Sequence, residues 1–154
     1  MTSVSFDGRR YHMKALYLDG VGDEAIATTV DWAARRPSND TLVIVRHCGG
    51  AISRVAAHDT AFGDRGSEWM LSIDSTWEDA AADAENVAYT RAFWHDAARF
   101  SDGKTYFNFP GLLEEGDAAV RASYGTNHAR LARIKAAYDP GNVFRPGQNM
   151  RPAA

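Results

Sequence analysis

The sequence predicts an α+β domain, in which an antiparallel sheet carries helices on one face in the chain order β-α-β-β-α-β of the ferredoxin-like folds. Two observations support this fold class. Four short stretches show strand-like alternation or β-branched residues, and two longer stretches between them show helical periodicity. We expect one domain over residues 1–154, with the sheet and its helices in 10–110 and further helices and a tail in 111–154.

The first half of the chain predicts three strands and one helix. Residues 11–18 form the first strand, and residues 68–74 form another because their apolar side chains alternate. Residues 41–47 are rich in β-branched side chains and predict a buried strand. Residues 23–36 predict a helix that is capped by Asp23 and stopped by Pro37. Its apolar face would consist of Ala25, Ile26, Thr29, Val30 and Ala33.

The second half predicts a long helix, a short strand and two shorter helices. The long helix starts at a capping box of Thr76 and Asp79 and runs to about Phe100. Residues 104–109 predict an aromatic strand, and residues 115–122 and 127–138 predict the last two helices. The apolar side of the long helix would consist of Ala80, Ala84, Val87, Ala88, Trp94 and Ala98. The residues expected to pack the tail against the domain are Leu131, Ile134, Tyr138 and Phe144.

Composition excludes several functional classes. The chain has 17 basic and 20 acidic side chains, so it lacks the basic excess of a nucleic-acid-binding protein. Its apolar runs are far shorter than a membrane helix, and no secretion signal opens it. The single cysteine, Cys48, fits a reducing compartment, and we expect a cytoplasmic protein. The five histidines show no metal-ligand spacing, so we predict no metal site.

The segment from Arg46 to Gly50 allows two interpretations. Neighbouring side chains of a strand point to opposite faces, so His47 and Cys48 cannot form a nucleophile–base pair. In the first interpretation His47 is a half-exposed strand end and Cys48 a small core residue. In the second, Gly49 and Gly50 let a ligand or another backbone approach closely.

A candidate site lies on the strand of residues 104–109. Tyr106 and Asn108 share one face by the two-residue period and place two hydrogen-bonding groups there. The alternative is an aromatic strand that only packs the core. Arg46 or His47 would join the site from a neighbouring central strand, and only one of the two can face it. We favour His47, because an imidazole exchanges protons near neutral pH.

These segments resemble the C-terminal part of berberine-bridge-enzyme-like flavin oxidases. The similar elements are Tyr-Phe-Asn-Phe at 106–109, Tyr-Asp-Pro-Gly-Asn-Val-Phe at 138–144 and Gln-Asn-Met at 148–150. Tyr124-Gly125 and the Gly-Gly-Ala-Ile-Ser-Arg-Val run at 49–55 resemble further family segments. The similarity extends from about residue 10 to residue 152.

The resemblance implies a two-domain flavoprotein in which an N-terminal domain binds FAD. The glycine-rich loops that contact the FAD phosphates have no counterpart in this chain, so no cofactor-binding residue is assigned. We therefore expect a fragment or a free-standing half that holds FAD only when an N-terminal domain is supplied, in cis or in trans. Its expected partner is a small organic substrate.

The resemblance also implies roles for individual residues. Tyr106 corresponds to a tyrosine that lines the substrate pocket over the flavin, and Asn108 to the asparagine that supports it. The last tyrosine of the motif, often the catalytic base, is Phe109 here, and a phenyl ring accepts no proton. Tyr106, Asn108 and His47 are thus the catalytic candidates. The substrate-binding candidates are Arg46, Tyr106, Asn108 and Phe109.

Three functions compete at this point. The chain would be the substrate-binding part of an FAD-linked oxidoreductase, a cofactor-independent cyclase or isomerase of a natural-product pathway, or a non-catalytic binding module. An apolar patch around Phe62, Trp69 and Tyr106 would be left uncovered without a flavin domain. This patch predicts a homodimer, or a separate FAD-binding subunit that covers it.

Overall fold

The computed structural model describes residues 8–101, 103–106, 116–145 and 149–153. Three strands, β1 (Arg10–Leu18), β2 (Leu42–His47) and β3 (Trp69–Trp77), form an antiparallel sheet in the order β1-β3-β2. The α+β class with an antiparallel sheet is therefore confirmed. The helices are α1 (Asp23–Ala34), α2 (Ala51–Arg54), α3 (Asp83–Ala97), α4 (Gly116–Tyr124) and α5 (His128–Tyr138).

The strand register separates two faces of the sheet. Leu16 pairs with Leu71, whereas the next residue, Tyr17, pairs with Met70. Because side chains alternate along a strand, the leucines lie on one face and Tyr17 and Met70 on the other. We call the first the helix face, since α1 and α3 pack there, and the second the open face.

The helix face contains the main core. Trp32 of α1 stacks on Phe93 of α3 with ring centroids 5.4 Å apart, and the Tyr89 hydroxyl donates to the Trp32 carbonyl at 2.8 Å. Both helices are thereby fixed on the same face, as predicted. The buried cluster consists of Leu16, Leu18, Leu71, Ile73, Tyr89, Phe93 and Ala97.

The predicted strands need three corrections. β2 is an edge strand with a half-exposed surface, not a buried one, because β3 occupies the middle of the sheet. β3 runs on to Trp77, beyond the predicted end at residue 74. Residues 104–106 belong to no strand, although the Tyr17 amide donates to the Lys104 carbonyl at 3.1 Å, and residues 107–109 lie outside the described part of the chain.

The predicted apolar face of α1 is wrong for two of its residues, since Ile26 and Val30 are exposed by 50% and 62%. Ala25 is buried as predicted, and Trp32, which was not predicted, packs against the helix-face core. The N-cap of α1 is Gly22, so Asp23 stands in the first turn, where a carboxylate still favours the helix dipole.

The start of α3 and its buried side also differ from expectation. Thr76 lies in β3, and Asp79 caps the 3₁₀ turn of Ala80–Ala82 that precedes α3, where its Oδ1 accepts from the Ala81 amide at 2.9 Å. The alanines of this helix have small side chains, so they give only a weak apolar pattern in the sequence. Asn86 and Thr90 are polar but buried, because their side chains donate hydrogen bonds to backbone carbonyls one turn earlier. The buried residues of α3 are Asn86, Tyr89, Thr90, Phe93 and Ala97.

The last two helices lie within about two residues of their predicted bounds and pack against the loop of residues 56–67. Asn127 donates to the Ala57 carbonyl at 2.6 Å, and Arg130 to the His58 carbonyl at 2.8 Å. Gly63 lies so close to the backbone of Ser123 in α4 that a Cβ atom would collide with it. The loop and α4 are therefore held in direct backbone contact.

The predicted packing of the tail is wrong for Ile134, Tyr138 and Phe144, whose side chains are 44%, 87% and 75% exposed. The turn between Tyr138 and Phe144 is stabilised by the Asp139 side chain, whose carboxylate accepts hydrogen bonds from the backbone amides of Val143 and Phe144. The aromatic side chains are thus presented outwards. Within the described residues, no helix is long and apolar enough to span a membrane.

Candidate active site on the open face

The open face has a small buried cluster of Ala15, Tyr17 and Met70, against which Cys48 and Tyr106 pack. Arg46 of β2 stands opposite Met70, which in turn stands opposite Tyr17 of β1. Side chains from all three strands, and Tyr106 from beyond α3, therefore meet on one surface.

Tyr17 is buried to 3% exposure in this cluster. Burial raises the pKa of its hydroxyl above the ordinary value, and the neighbouring Asp64 carboxylate adds to the shift. Tyr17 therefore remains protonated across the physiological range and can donate a hydrogen bond but not act as a base.

Arg46 places a cation beside two polar residues of β3. Its Nη1 donates to the Ser72 Oγ at 2.6 Å, and its charge acts on Asp74. The Oδ1 of Asp74 is buried without a hydrogen-bond partner. Burial raises the pKa of Asp74, while Ser72 and Arg46 act in the opposite direction. The central strand thus carries a carboxyl group whose proton is held more tightly than usual.

The loop of residues 62–67 borders the cluster beside Tyr106. The ring centroids of Phe62 and Tyr106 are 6.3 Å apart, and the Arg65 guanidinium lies 4.6 Å from the Phe62 ring. Asp64, with a side chain only 6% exposed, accepts from the amides of Gly66 and Ser67 and so fixes the turn. This loop supplies a firm rim on one side of the site.

His47 does not join Tyr106, so the preference for His47 is wrong. It pairs with Trp69, the imidazole lies 4.8 Å from the Trp69 ring, and Trp69 packs against the helix-face core. Arg46 is the residue that shares the face of Tyr106. Trp69 likewise does not belong to the predicted patch around Phe62 and Tyr106.

The interpretation of His47 as a strand end is confirmed. Its exposed side chain contacts the Glu68 carboxylate at 3.1 Å. The space beside Gly49 is filled by the imidazole itself, because a Cβ there would lie 2.7 Å from Nε2. The glycine thus accommodates a neighbouring side chain of its own chain.

Two predicted site residues, Asn108 and Phe109, lie outside the described residues, and their roles remain predictions. Sequence reasoning missed Tyr17, Ser72 and Asp74. The missing signal was strand order, because only the central position of β3 brings Ser72 beside Arg46. In the described ranges, no three histidine, cysteine, aspartate or glutamate side chains are grouped to hold a metal ion.

Comparison with known proteins gives the family. The sequence profile described as "Berberine and berberine like" matches residues 105–151. An uncharacterized FAD-linked oxidoreductase of Bacillus subtilis, YgaK, is 30% identical over 132 residues, which are 86% of this chain and 29% of YgaK. The chain belongs to the berberine-bridge-enzyme-like FAD-linked oxidoreductases. It spans less than a third of the length of this relative.

Solved structures of berberine-bridge-enzyme-like proteins share the fold. The chain superimposes on a single-site variant of berberine bridge enzyme with a TM-score of 0.81, at 20% identity, covering 97% of this chain and 34% of that one. CrmK, a flavoenzyme of caerulomycin biosynthesis, gives a TM-score of 0.81 at 25% identity, covering 96% and 33%. This berberine-bridge-enzyme-like chain therefore adopts the fold of about one third of each relative.

The open face fits one side of a flavin site but not a whole FAD molecule. Arg46 and Tyr106 are half-buried and offer hydrogen-bonding groups on this face, which suits a flat ring system. The Gly49-Gly50 pair does not form a phosphate cradle, because the His47 imidazole occupies the space beside Gly49. The described residues of the open face therefore offer no cradle for the FAD phosphates.

Proposed function

We propose that the chain is the substrate-binding portion of an FAD-linked oxidoreductase and works with a flavin-binding domain that lies outside it. The observation that carries the proposal is the open face. Tyr17, Arg46 and Tyr106 gather there, on the side of the sheet opposite α1 and α3. Family membership supports the same assignment.

Arg46 and Tyr106 would bind and orient the substrate. A guanidinium donor in a half-buried setting polarises a carbonyl or stabilises a developing oxyanion. Tyr106 supplies an aromatic surface and a hydroxyl beside it. When bound, FAD supplies the hydride acceptor for the oxidation.

Asp74 is the group on this face best suited to hold the substrate proton. Its raised pKa and unpartnered Oδ1 suit a carboxyl group that accepts a proton from the substrate. Phe109, in the motif position often occupied by a catalytic tyrosine, cannot take this role. Asp74 would therefore act together with Arg46, whose charge favours the ionised form of the carboxyl group.

The proposed substrate is a small organic molecule with hydroxyl or carbonyl groups, matching the donors on the open face. CrmK is described as a flavoenzyme of caerulomycin biosynthesis, and by analogy a natural-product substrate is our proposal here. The proposed partner is the flavin-binding domain, which covers the open face. In its absence a second copy of the chain would cover the same face as a homodimer.

Reconstitution tests the proposal. The purified chain would be mixed with the FAD-loaded N-terminal two-thirds of YgaK, and bleaching of the flavin absorbance would be followed with candidate alcohols and phenols. We expect bleaching only when both parts are present, and at least tenfold slower bleaching with Arg46→Gln. The matched control is Arg36→Gln, an equal charge change at the exposed end of α1.

Two outcomes would contradict the proposal. Conversion of a substrate by the chain alone, without flavin, would favour the cyclase or isomerase. Equal bleaching rates for Arg46→Gln and Arg36→Gln would exclude the open face as the substrate surface.

A further inference from the structure

A concave site that contains none of the open-face residues lies between α4, α5 and the C-terminal residues 149–153. Its volume is about 510 Å³, within the range of small-molecule sites. Val120 and Ala132 form a buried apolar floor. The Ala153 amide donates to the Ala132 carbonyl at 3.0 Å and holds the C-terminal wall in place. The cavity is thus built by three separate segments.

The charged groups that line this cavity are three arginines. Arg121 comes from α4, Arg133 from α5 and Arg151 from the C-terminal segment, and His128 and Asn149 complete the polar lining. No carboxylate lines the cavity among the described residues. This local excess of positive charge runs against the formal charge of −3 of the whole chain. Like charges in one concavity repel each other, so the arrangement favours an anionic occupant.

Two of these arginines have no task in the fold. Within the described residues, the guanidinium groups of Arg121 and Arg133 make no hydrogen bond or ion pair. Arg130, on the same helix as Arg133, shows the contrasting structural use, because it donates to the His58 carbonyl at 2.8 Å. Arg121 and Arg133 are therefore available to a ligand.

We propose that this cavity binds a small molecule through a diphosphate group. A guanidinium presents two parallel N–H donors that match two oxygens of a phosphate, and arginines from different segments can grip adjacent phosphates. The site uses no residue of the open face and stands apart from the proposed oxidoreductase function.

Titration calorimetry with inorganic pyrophosphate tests the proposal on the purified chain at low ionic strength. We expect saturable binding of one pyrophosphate per chain. Arg121→Gln and Arg133→Gln should each weaken it at least about tenfold, the effect of losing one charged hydrogen-bond pair. Arg36→Gln, the same charge change at the end of α1, should bind like the wild type. All three side chains are exposed, so melting temperatures should be unchanged.

Further ligands define the chemistry. ADP binding as tightly as pyrophosphate would indicate a nucleotide source, and tighter pyrophosphate binding a free diphosphate; either result supports the site. Citrate binding as tightly as pyrophosphate would overturn the preference for phosphate. If Arg133→Lys binds pyrophosphate with wild-type affinity, the Arg133 guanidinium does not recognise the phosphate through two parallel N–H donors. Unsaturable binding, or equal affinity in the Arg121→Gln and wild-type chains, would overturn the site itself.

Discussion

The two faces of the sheet are built from the same strands but are covered in different ways. On the helix face, seven buried residues join two helices, and Trp32 stacks on Phe93 within the same core. On the open face the apolar cluster of buried residues consists of Ala15, Tyr17 and Met70 among the described residues. The helix face thus contains the larger apolar core.

The buried polar groups of the two faces of the sheet also differ. On the helix face, the hydroxyl oxygens of Thr90 and Ser75 lie 2.6 Å apart in a hydrogen bond that joins α3 to β3. On the open face, Asp74 keeps a buried oxygen without a partner beside the Arg46–Ser72 pair. α3 also keeps a buried oxygen without a partner, the Asn86 Oδ1, but the group on the open face is ionisable and lies beside a cation. A buried ionisable group of this kind is typical of functional sites.

Phe93→Ala should produce the largest effect, because it removes the fully buried ring at the centre of the helix face. We expect a loss of about 3–5 kcal/mol in the free energy of unfolding. Chemical denaturation measures it. Val30→Ala, on the exposed side of α1, is the control and should change the free energy by less than about 0.5 kcal/mol. A loss no larger than that of the control would refute the central role of this core.

Met70→Ala truncates a side chain of the open-face cluster and should lower the free energy of unfolding by less than Phe93→Ala does. We expect about 2 kcal/mol, at the lower end for such truncations, since few buried neighbours surround the side chain. The same denaturation experiment compares the two variants. If Met70→Ala proved more costly than Phe93→Ala, the open face would be the main core and the comparison would be reversed.

Asp74→Asn should stabilise the chain at neutral pH. Because burial raises the folded-state pKa of Asp74, the ionised form opposes folding at every pH above that pKa. This cost declines as the pH falls through the folded pKa, and it is absent below the unfolded pKa of about 3.9. Melting temperatures would show a gain of a few degrees at pH 7 that disappears near pH 3. A gain that is independent of pH would contradict the assignment.

Tyr106→Phe should have the smallest effect on stability and still impair function. Removing one hydroxyl from a half-buried ring should change the free energy of unfolding by less than about 1 kcal/mol. In the reconstituted system, substrate-dependent flavin bleaching should slow at least about tenfold. Unchanged bleaching in this variant would place the substrate away from Tyr106.

The sequence contained the fold class but not the burial of each element. Alternation and helical periodicity located β1 and α5 to within a residue, because these segments carry their own signals. The edge position of β2 and the orientation of α1 depend on which strand lies in the middle. That order arises from long-range pairing, such as Val45 with Leu71, which no local pattern encodes.

The candidate site was predictable only in part. Strand alternation correctly predicted that only one of Arg46 and His47 shares the face of Tyr106. Which of the two it is depends on the register of β2 with β3. A proton-exchanging imidazole was chemically attractive, yet His47 lies beside Trp69. Asp74 escaped notice because its burial follows from the central position of β3.

Alkylation of Cys48, the only cysteine, tests most directly whether the open face meets a flavin-binding domain. Its half-buried thiol packs beside Tyr17 and Met70, so any domain that covers this face also covers the thiol. The rate of reaction with a maleimide would be measured with and without the FAD-loaded part of YgaK. We predict a rate at least tenfold slower in its presence. The control, Val30→Cys in a Cys48→Ser background, should react at the same rate with and without the domain. Equal protection of both thiols, or none at Cys48, would contradict the assignment of the open face.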